Sequence, residues 1–479
     1  MGRSELVLAI DIGTSSSRTA LFDSRGRRIS NSLSQRSYPL HTDRDGKAEL
    51  DPHDLLNAIK LCISKTLSGT SAVQAVGVSC FWHSVLGVNA QGEAITPIYT
   101  WADSRCREDA AVMRKEFSEK DIHAETGCML RASFMAMKLR WLYRTRKALF
   151  TKVHRWVSPG EWIQCQLIGS TSCAIGMATG TGLFNPTTLT WSPRMLKACR
   201  ISAKQLSEID DKPVQVTKLL SPKWKALIGA FWYPAIGDGA ASNLGSGATE
   251  SGLAAINIGT SAALRIMREG KKASAPFGLF CYRVDARRYL VGGAVSNAGN
   301  LHAWCLRELK IVPDSAALEK ILAERSTPEH GLTVLPFWTA ERAPTWEEDA
   351  KGVIYGMTQS TNAVDMLQAI TEGFYFRLAK IAAMLSSVRG ASPKWIVSGG
   401  VLKSSSALKR LSSIFGQPIY ASPEPEASLR GAAIYALEQR GAKIQSLNYS
   451  KPTRPNASVH ARYLDARKGQ ERLEALIRT

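Results

Sequence analysis

A seven-residue motif that occurs twice sets the strongest limit on the fold of this chain. Ala-Ile-Asp-Ile-Gly-Thr-Ser at residues 9–15 returns as Ala-Ile-Asn-Ile-Gly-Thr-Ser at residues 255–261, an offset of 246 residues. In both copies a short apolar stretch precedes the motif and another strand-like segment follows it. A duplication explains this pattern, and so does a chance similarity over a few residues. Because a chain of 479 residues is too long for one hydrophobic core, we predict two domains, 1–248 and 249–479.

The pattern around the first copy of the motif indicates an α/β fold. Short strands are predicted over 6–10, 18–22 and 27–33, and a buried strand over 75–80. Asp51 and Pro52 suit the N-cap and the first position of a helix, and apolar residues follow them at spacings of three and four. Strands followed by a helix and another strand predict a mixed sheet flanked by helices.

The composition favours a cytoplasmic protein. No apolar run reaches the roughly 18 residues that a membrane-spanning helix needs, and the run at 6–10 is too short for the core of a signal peptide. The nine cysteines are scattered and none forms a Cys-x-x-Cys pair. We therefore expect free thiols instead of disulfides or a zinc site. The short apolar runs predict no membrane partner.

The formal net charge of +20 raises the hypothesis of nucleic-acid binding. Eight basic residues and no acidic residue lie between 126 and 160. No recognition motif or aromatic platform accompanies this basic run, so we interpret it as a solvated helical face, with weak attraction of anionic substrates as the alternative. The sequence thus predicts no nucleic-acid partner.

Both Gly-Thr-Ser turns are suited to phosphate. A glycine lets backbone N–H groups approach an anion closely, and the hydroxyl groups add donors. Asp11 precedes the first turn and is suited to hold Mg²⁺ through water, whereas Asn257 takes this position in the second copy. Each turn by itself is equally consistent with a plain tight turn between strands. The chain has neither the P-loop motif nor the motifs of protein kinases.

One carboxylate, Asp238, stands between two glycines in Ala-Ile-Gly-Asp-Gly-Ala-Ala at residues 235–241. Glycines favour the close approach of a ligand, and a lone acid among them is suited to accept a proton from a hydroxyl group. Phosphoryl transfer depends mostly on positioning and charge neutralisation, with one base to orient the nucleophile. An ordinary Asp-Gly turn explains the same residues.

A further turn suited to a nucleotide follows a predicted strand at 395–398. Gly399 and Gly400 form a di-glycine turn there, and helical periodicity follows over 404–415. Such a strand-to-helix turn admits a nucleotide against bare backbone. The small residues at 431–433, expected at the start of another helix, suit close packing nearby. A purely structural turn is the alternative.

Two motifs after predicted strands carry side chains of the kinds that bind polyols. They are Phe-Trp-His-Ser at 81–84 and Trp-Ala-Asp-Ser-Arg at 101–105. Asp, His and Arg side chains hydrogen-bond to hydroxyl groups while an aromatic ring covers the C–H face of a sugar. Buried structural tryptophans and a histidine satisfied within the core are the alternative.

From about residue 6 to residue 437, the chain resembles the FGGY family of carbohydrate kinases. The resemblance rests on the order and spacing of Asp-Ile-Gly-Thr-Ser at 11–15, Thr-Trp-Ala-Asp-Ser-Arg at 100–105, Gly-Asp-Gly at 237–239, Gly-Thr-Ser at 259–261, Gly-Gly at 292–293, Leu-Pro-Phe at 335–337, Glu-Arg-Ala-Pro at 341–344, Glu-Gly at 372–373 and Ser-Gly-Gly at 398–400. It implies two actin-like (ribonuclease-H-like) domains, an N-terminal one that binds the sugar and a C-terminal one that binds ATP, with the active site in the cleft between them.

The resemblance also implies a role for each candidate residue. Asp238 would be the catalytic base and would serve the Mg²⁺ site together with Asp11. The nucleotide would be lined by Thr14, Ser15, Gly259, Thr260, Gly299, Gly400 and Ser404. The sugar would be bound by His83, Ser84, Trp101, Asp103, Arg105 and Asp238.

Within the family the motifs are most similar to those of gluconokinases, although Trp82 and Ala340 replace the smaller residue and the glycine expected at their positions. The resemblance therefore predicts ATP-dependent phosphorylation of a terminal hydroxyl of D-gluconate. A kinase of a neutral ketose or polyol such as xylulose is the first alternative, and a non-catalytic sugar-binding module is the second. A homodimer is compatible with the sequence.

Overall fold

The computed structural model describes residues 5–218, 221–250, 252–311, 314–325, 327–389 and 393–478. The chain forms two compact units. The first unit contains the chain up to Gly247, together with Arg268–Leu290 and Glu426–Ser446. The second unit contains Ala248–Met267, Val291–Pro425 and the chain from Leu447 onward.

The described chain contains both strands and helices. The strands are β1 (Leu6–Ile12), β2 (Ser16–Asp23), β3 (Ser34–Ser37), β4 (His41–Thr42), β5 (Ala48–Leu50), β6 (Ala75–Cys80), β7 (Leu86–Val88), β8 (Ile98–Tyr99), β9 (Arg155–Val157), β10 (Phe184–Asn185), β11 (Thr190–Trp191), β12 (Val214–Gln215), β13 (Phe231–Trp232), β14 (Ile236–Gly237), β15 (Leu253–Ile258), β16 (Ala262–Glu269), β17 (Phe280–Arg283), β18 (Arg288–Val295), β19 (Thr333–Leu335), β20 (Val353–Tyr355), β21 (Lys394–Ser398) and β22 (Ile419–Ala421). The helices are α1 (Pro52–Thr66), α2 (Arg107–Glu116), α3 (Glu119–Thr126), α4 (Met135–Thr145), α5 (Lys147–Lys152), α6 (Pro159–Ile168), α7 (Ile175–Ala178), α8 (Pro193–Ala198), α9 (Asp238–Gly245), α10 (Gly299–Glu308), α11 (Ser315–Glu324), α12 (Ala363–Arg389), α13 (Ser405–Phe415), α14 (Ala427–Gln439) and α15 (Ala457–Arg478). Short 3-10 helices lie at Thr179–Thr181, Ala203–Gln205, Pro222–Leu227 and Gly400–Lys403.

The first unit is built on a mixed sheet in which β1 is central. β1 pairs antiparallel with β2 and parallel with β6, and β6 also pairs in parallel with β13 and β14. Every residue of β6 is buried, as expected for a strand covered on both faces. The predicted helix is α1, which begins at Pro52. Its N-cap is Asp51, whose side chain accepts a hydrogen bond from the His53 N–H group.

The second unit repeats this topology around β15. β15 pairs antiparallel with β16 and parallel with β21, and β21 pairs in parallel with β22. Asp11 lies opposite Ser79 in the first sheet, and Asn257 lies opposite Ser398 at the matching position of the second. The sequence repeat is thus also a repeat of sheet topology, and the predicted mixed sheets flanked by helices are confirmed.

The two units are not two consecutive parts of the chain, so the division into 1–248 and 249–479 describes them incompletely. The segment Glu426–Ser446 belongs to the first unit because α14 packs against α9 and β6. Two glycines allow the backbones to approach closely at this contact. A Cβ atom at Gly431 would lie 1.7 Å from the Ala241 carbonyl oxygen, and a Cβ atom at Gly77 would lie 2.0 Å from the Ala432 carbonyl oxygen. The small residues at 431–433, which were expected at the start of a helix, lie in the middle of α14.

The strand predicted over 27–33 is wrong, because the third strand of the sheet is Ser34–Ser37. Asp23 accepts hydrogen bonds from the N–H groups of Arg25 and Arg27, which hold a turn. Asn31 then takes a positive φ of 60°, which interrupts an extended strand.

Two further expectations concern the cysteines and the basic run at 126–160. All nine cysteines are free thiols, as predicted. The basic run is not a single solvated face, however. Lys138 is fully buried and its Nζ donates to the Ala132 and Ser133 carbonyl oxygens, and Arg144 forms a bidentate pair with Asp109 on α2. No helix in the described part of the chain has the length and apolar character needed to cross a bilayer.

Candidate functional site

Three neighbouring parallel strands of the first unit end at the same edge of the sheet. Asp11 on β1 lies opposite Ser79 on β6, and Gly237 on β14 lies opposite Cys80 on β6. Because the carboxyl ends of parallel strands meet at one edge, the turn after β1, the loop after β6 and Asp238 after β14 converge there. This edge carries the candidate site of the first unit.

Asp238 is the first residue of α9 and is half-buried. One of its carboxylate oxygens, Oδ1, accepts a hydrogen bond of 2.7 Å from the Gly239 N–H group. The preceding residue, Gly237, is the N-cap of the helix. This hydrogen bond ties the carboxylate of Asp238 to the first turn of its own helix.

Asp11 is buried, and each of its carboxylate oxygens accepts a hydroxyl hydrogen bond. Ser79 donates to Oδ1 at 2.8 Å, and Ser428 of α14 donates to Oδ2 at 2.9 Å. The guanidinium of Arg18 lies 3.9 Å from Oδ2 and also binds Glu426 at 2.6 Å. Burial raises the pKa of Asp11, although Arg18 and the two hydroxyl groups oppose that rise.

The donor set is compatible with a hydrated Mg²⁺ ion. Among the described residues no three His, Cys, Asp or Glu side chains are grouped as ligands of a metal ion. Mg²⁺ needs no such group, because it keeps several waters and binds one or two carboxylates together with substrate phosphates. A carboxylate oxygen offers two lone pairs, so the hydroxyl bonds of Asp11 leave it able to hold a water of that shell.

The loop after β6 presents His83 in an unusual backbone conformation. Its φ is 66°, which is uncommon for a residue with a side chain and often marks a functional position. Its Nδ1 lies 2.6 Å from the Gly180 carbonyl oxygen. Since a carbonyl only accepts, Nδ1 carries the hydrogen of this contact. Phe134 and Tyr282 contact the ring, with centroid distances of 4.8 Å and 5.5 Å.

Ser84 and Trp101 join this loop to the other predicted sugar motif. Ser84 is buried, donates to the Trp82 carbonyl at 3.2 Å and accepts from the Trp101 N–H group at 3.0 Å. The indole Nε1 of Trp101 donates to Oγ1 of Thr14 at 3.0 Å. Thr14 and Trp101 are therefore adjacent, although the sequence suggested that one binds the nucleotide and the other the sugar. Ser15, beside Thr14, is exposed.

Asp103 and Arg105 bind each other. Asp103 is almost fully buried and accepts hydrogen bonds from the Ala48 N–H group at 3.2 Å and from Nε of Arg105 at 3.1 Å. Arg105 also binds Glu49 at 2.5 Å and lies over the ring of Trp141, 4.6 Å from its centroid. These contacts tie Asp103 and Arg105 to each other and to the neighbouring backbone and Glu49.

The second unit brings three of the predicted nucleotide residues together. The Gly299 N–H group donates to the Gly259 carbonyl, and the Asn300 N–H group donates to the Thr260 carbonyl, both at 3.0 Å. A Cβ atom at Gly299 would lie 2.5 Å from the Gly259 oxygen, so this contact requires glycine. The turn after β15 is thus fixed against the first residues of α10, whose N–H groups make these bonds.

Gly400 and Ser404 lie in the turn between β21 and α13. Gly399 has a φ of 98°, and a Cβ atom there would lie 2.4 Å from the Ile258 carbonyl oxygen, which places this turn against the end of β15. Gly400 is exposed. The Ser404 hydroxyl instead donates to Glu319 at 2.7 Å and accepts from the Ala407 N–H group at 3.1 Å, so it caps α13.

Sequence patterns did not single out Ser428, Arg18, Tyr282 or Phe134. Ser428 and Tyr282 are distant in sequence from the residues that they contact, Asp11 and His83. Tyr282 and Phe134 are aromatic residues in ordinary core patterns, and no local motif marks them. A serine in the first turn of α14 was the only available signal for Ser428, and it is a weak one.

Solved structures define the class of protein to which this fold belongs. The gluconate kinase from Lactobacillus acidophilus superposes with a TM-score of 0.89 at 26% identity, over 99% of this chain and 98% of that one. The ligand-bound xylulose kinase from Lactobacillus acidophilus gives the same TM-score and identity, over 99% of each chain. The fold is that of carbohydrate kinases.

The family follows from the sequence. Residues 6–245 match the N-terminal domain of the FGGY family of carbohydrate kinases, and residues 254–438 match its C-terminal domain. The chain belongs to this family, as the motifs predicted. The gluconokinase of Bacillus subtilis (strain 168) is 26% identical over 464 residues, which cover 92% of this chain and 89% of that protein.

Proposed function

We propose that this carbohydrate kinase transfers the γ-phosphoryl group of ATP to the 6-hydroxyl of D-gluconate. The observation that carries the proposal is the half-buried carboxylate of Asp238, at the same sheet edge as the loop that carries His83. Similarity to a gluconokinase sequence and to a gluconate kinase structure supports the choice of sugar.

In this proposal Asp238 accepts the proton of the attacking hydroxyl. His83 and Trp101 bind the sugar beside it, the first through its ring nitrogen Nε2 and the second through its indole face. Asp11 and Asp238 hold Mg²⁺ together with the phosphates. The ion, when bound, neutralises charge on the phosphate oxygens.

The nucleotide is assigned to the second unit, and the sugar to the first. The phosphates are assigned to the turns that contain Gly259, Thr260, Gly299 and Gly400. A Cβ atom at Gly400 would have no neighbour within 4 Å, so this turn has space for a ligand. Thr14 and Ser15 are the phosphate-side residues proposed for the first unit. Use of ATP accords with the cytoplasmic location expected from the composition.

A ketose such as xylulose is the second candidate substrate, and one observation favours it. Arg105 is the cation within the predicted sugar motifs, yet it is bound to Asp103 and Glu49. It therefore contributes little to binding the carboxylate that distinguishes gluconate from a neutral sugar. The xylulose kinase structure is as similar to this chain as the gluconate kinase structure, so structural similarity does not separate the two sugars.

Replacement of Asp238 by asparagine tests the proposed base. Asp238→Asn keeps the size and one hydrogen-bond acceptor but cannot take a proton, so we expect kcat to fall at least ~10²-fold. The variant should still bind ATP in titration calorimetry. Asp121→Asn, an exposed residue on α3, serves as the matched control and should keep kcat within about twofold. Near-normal turnover of Asp238→Asn would refute the assignment.

A panel of substrates tests the sugar. ADP formation should be measured with D-gluconate, D-xylulose and glycerol at saturating ATP. We expect the highest kcat/KM with gluconate. Strong turnover of xylulose without turnover of gluconate would support the ketose alternative. ATP binding without ADP formation on any sugar or sugar acid would support the non-catalytic module.

A further inference from the structure

We propose that Trp82 is a positioning residue that fixes the catalytic carboxylate of Asp238 through Gly237. The proposal rests on the role of Asp238 proposed above. Its starting observation is the close contact between the Trp82 indole and Gly237. A Cβ atom at position 237 would lie 1.7 Å from Cε2, 2.1 Å from Nε1 and 2.2 Å from Cζ2 of the ring, so no other residue fits beside the indole.

The backbone of Gly237 does not itself require glycine. Its φ of −67° and ψ of 144° are accessible to every residue. Gly237 is also the N-cap of α9, a position where Ser, Thr, Asp or Asn stabilises a helix more than glycine does. The indole of Trp82 occupies the space that a capping side chain at residue 237 would need.

Trp82 is itself held from several sides. It is 5% exposed, and its Nε1 donates to the Gly176 carbonyl at 2.8 Å. A Cβ atom at Gly180 would lie 2.6 Å from its Cδ1, and the ring of Tyr282 contacts it at a centroid distance of 5.0 Å. The indole is therefore a fixed surface, against which the backbone of residue 237 rests.

The position of Asp238 follows from these contacts. Gly237 pairs with Cys80 on one side and meets the indole on the other, and Asp238 is the next residue along the chain. A displacement of about 1 Å in a catalytic group costs roughly 10²-fold in rate. Anything that pushes residue 237 away from the indole should lower kcat while the affinity for ATP is kept.

A double-mutant cycle tests the proposal. In Gly237→Ala the new methyl group displaces either the backbone or the indole, and we expect kcat to fall roughly 10²-fold with KM for ATP unchanged. Trp82→Met removes the ring but fills part of its space, because methionine is flexible, and should lower kcat about 3- to 10-fold. In the double variant the methyl group has room, so kcat should rise at least about 10-fold above that of Gly237→Ala.

The control is Gly87→Ala. Gly87 is buried in the first unit, and a Cβ atom there would lie 2.5 Å from Val153 and 3.1 Å from the ring of Trp156. The substitution inserts a methyl group chiefly against Val153, so the melting temperature should fall while kcat changes less than about threefold.

If the two substitutions act independently, their effects on kcat multiply and the double variant falls to roughly 10³-fold below wild type. That result would overturn the positioning role. A kcat of Gly237→Ala that is no lower than that of Gly87→Ala would overturn it as well. Either result leaves the base assignment intact, because Asp238→Asn tests that separately.

Discussion

Replacement of Asp211 by asparagine should stabilise the protein at alkaline pH and not at acidic pH. Asp211 is half-buried and accepts a hydrogen bond of 2.8 Å from the Ile175 N–H group, at the start of α7. Burial raises the pKa of this carboxyl group to about 6, and the negative charge of Asp285 adds to the rise. The ionised form is thus disfavoured in the folded protein.

The magnitude follows from linkage between protonation and folding. A pKa raised from about 3.9 to about 6 corresponds to roughly 3 kcal/mol lost from the free energy of unfolding when the group is ionised. Water reaches part of the side chain, so we expect about 1–2 kcal/mol in practice. The folded state binds the proton more tightly, so this loss is absent below pH ~4, grows as the pH rises to ~6 and is complete above it.

An asparagine side chain keeps an acceptor for the Ile175 N–H group without carrying a charge. Asp211→Asn should therefore raise the melting temperature by about 2–4 °C at pH 8, and the difference from wild type should vanish near pH 4. Differential scanning calorimetry between pH 4 and pH 8.5 measures it, with the exposed Asp121→Asn as the control. A melting-temperature difference that does not vary with pH, or a less stable variant at pH 8, would refute the reasoning.

Two other predictions concern the second unit. Glu474→Gln should lower the free energy of unfolding by about 3 kcal/mol, because Glu474 pairs with the buried guanidinium of Arg377 at 2.6 Å. The control is Glu471→Gln at an exposed position, which should change the free energy of unfolding by less than about 0.5 kcal/mol. Urea unfolding of the two variants measures the difference. Ser404→Ala should cost about 1 kcal/mol through loss of the α13 cap and leave KM for ATP within twofold in a steady-state assay. A several-fold rise in that KM would restore the nucleotide role implied for Ser404.

Local patterns were sufficient to predict the elements of the sheet. The buried strand at 75–80 and the helix that starts at Pro52 have the predicted bounds because their signals are local: apolar runs, a capping carboxylate and a proline at the first helical position. The strand predicted over 27–33 failed because the bonds accepted by Asp23 extend the turn that precedes it.

The membership of the units depends on contacts that no local pattern reveals. α14 belongs to the first unit because Gly431 allows close approach to the Ala241 carbonyl, 190 residues earlier in the chain. A glycine in a helix usually signals only a small loss of stability. No sequence signal therefore assigned Glu426–Ser446 to the first unit.

The candidate site was predictable in its residue types but not in its pairings. Asp11 and Asp238 were singled out because carboxylates beside glycine turns suggest phosphoryl chemistry, and their roles stay predictions. Asp103 and Arg105 looked like ligands of a polyol, but a sequence does not reveal whether an acid and a base point to a substrate or to each other. In the structure they are paired, and Ser428 reaches Asp11 from the opposite end of the chain.

Phosphorus NMR of the reaction product tests the central proposal most directly. Wild-type protein incubated with ATP, Mg²⁺ and D-gluconate should yield ADP and one phosphomonoester, with the phosphate on the 6-oxygen, and Asp238→Asn should yield neither at a comparable rate. Inorganic phosphate without any sugar ester from the wild type, or an equal yield of ester from Asp238→Asn, would contradict it.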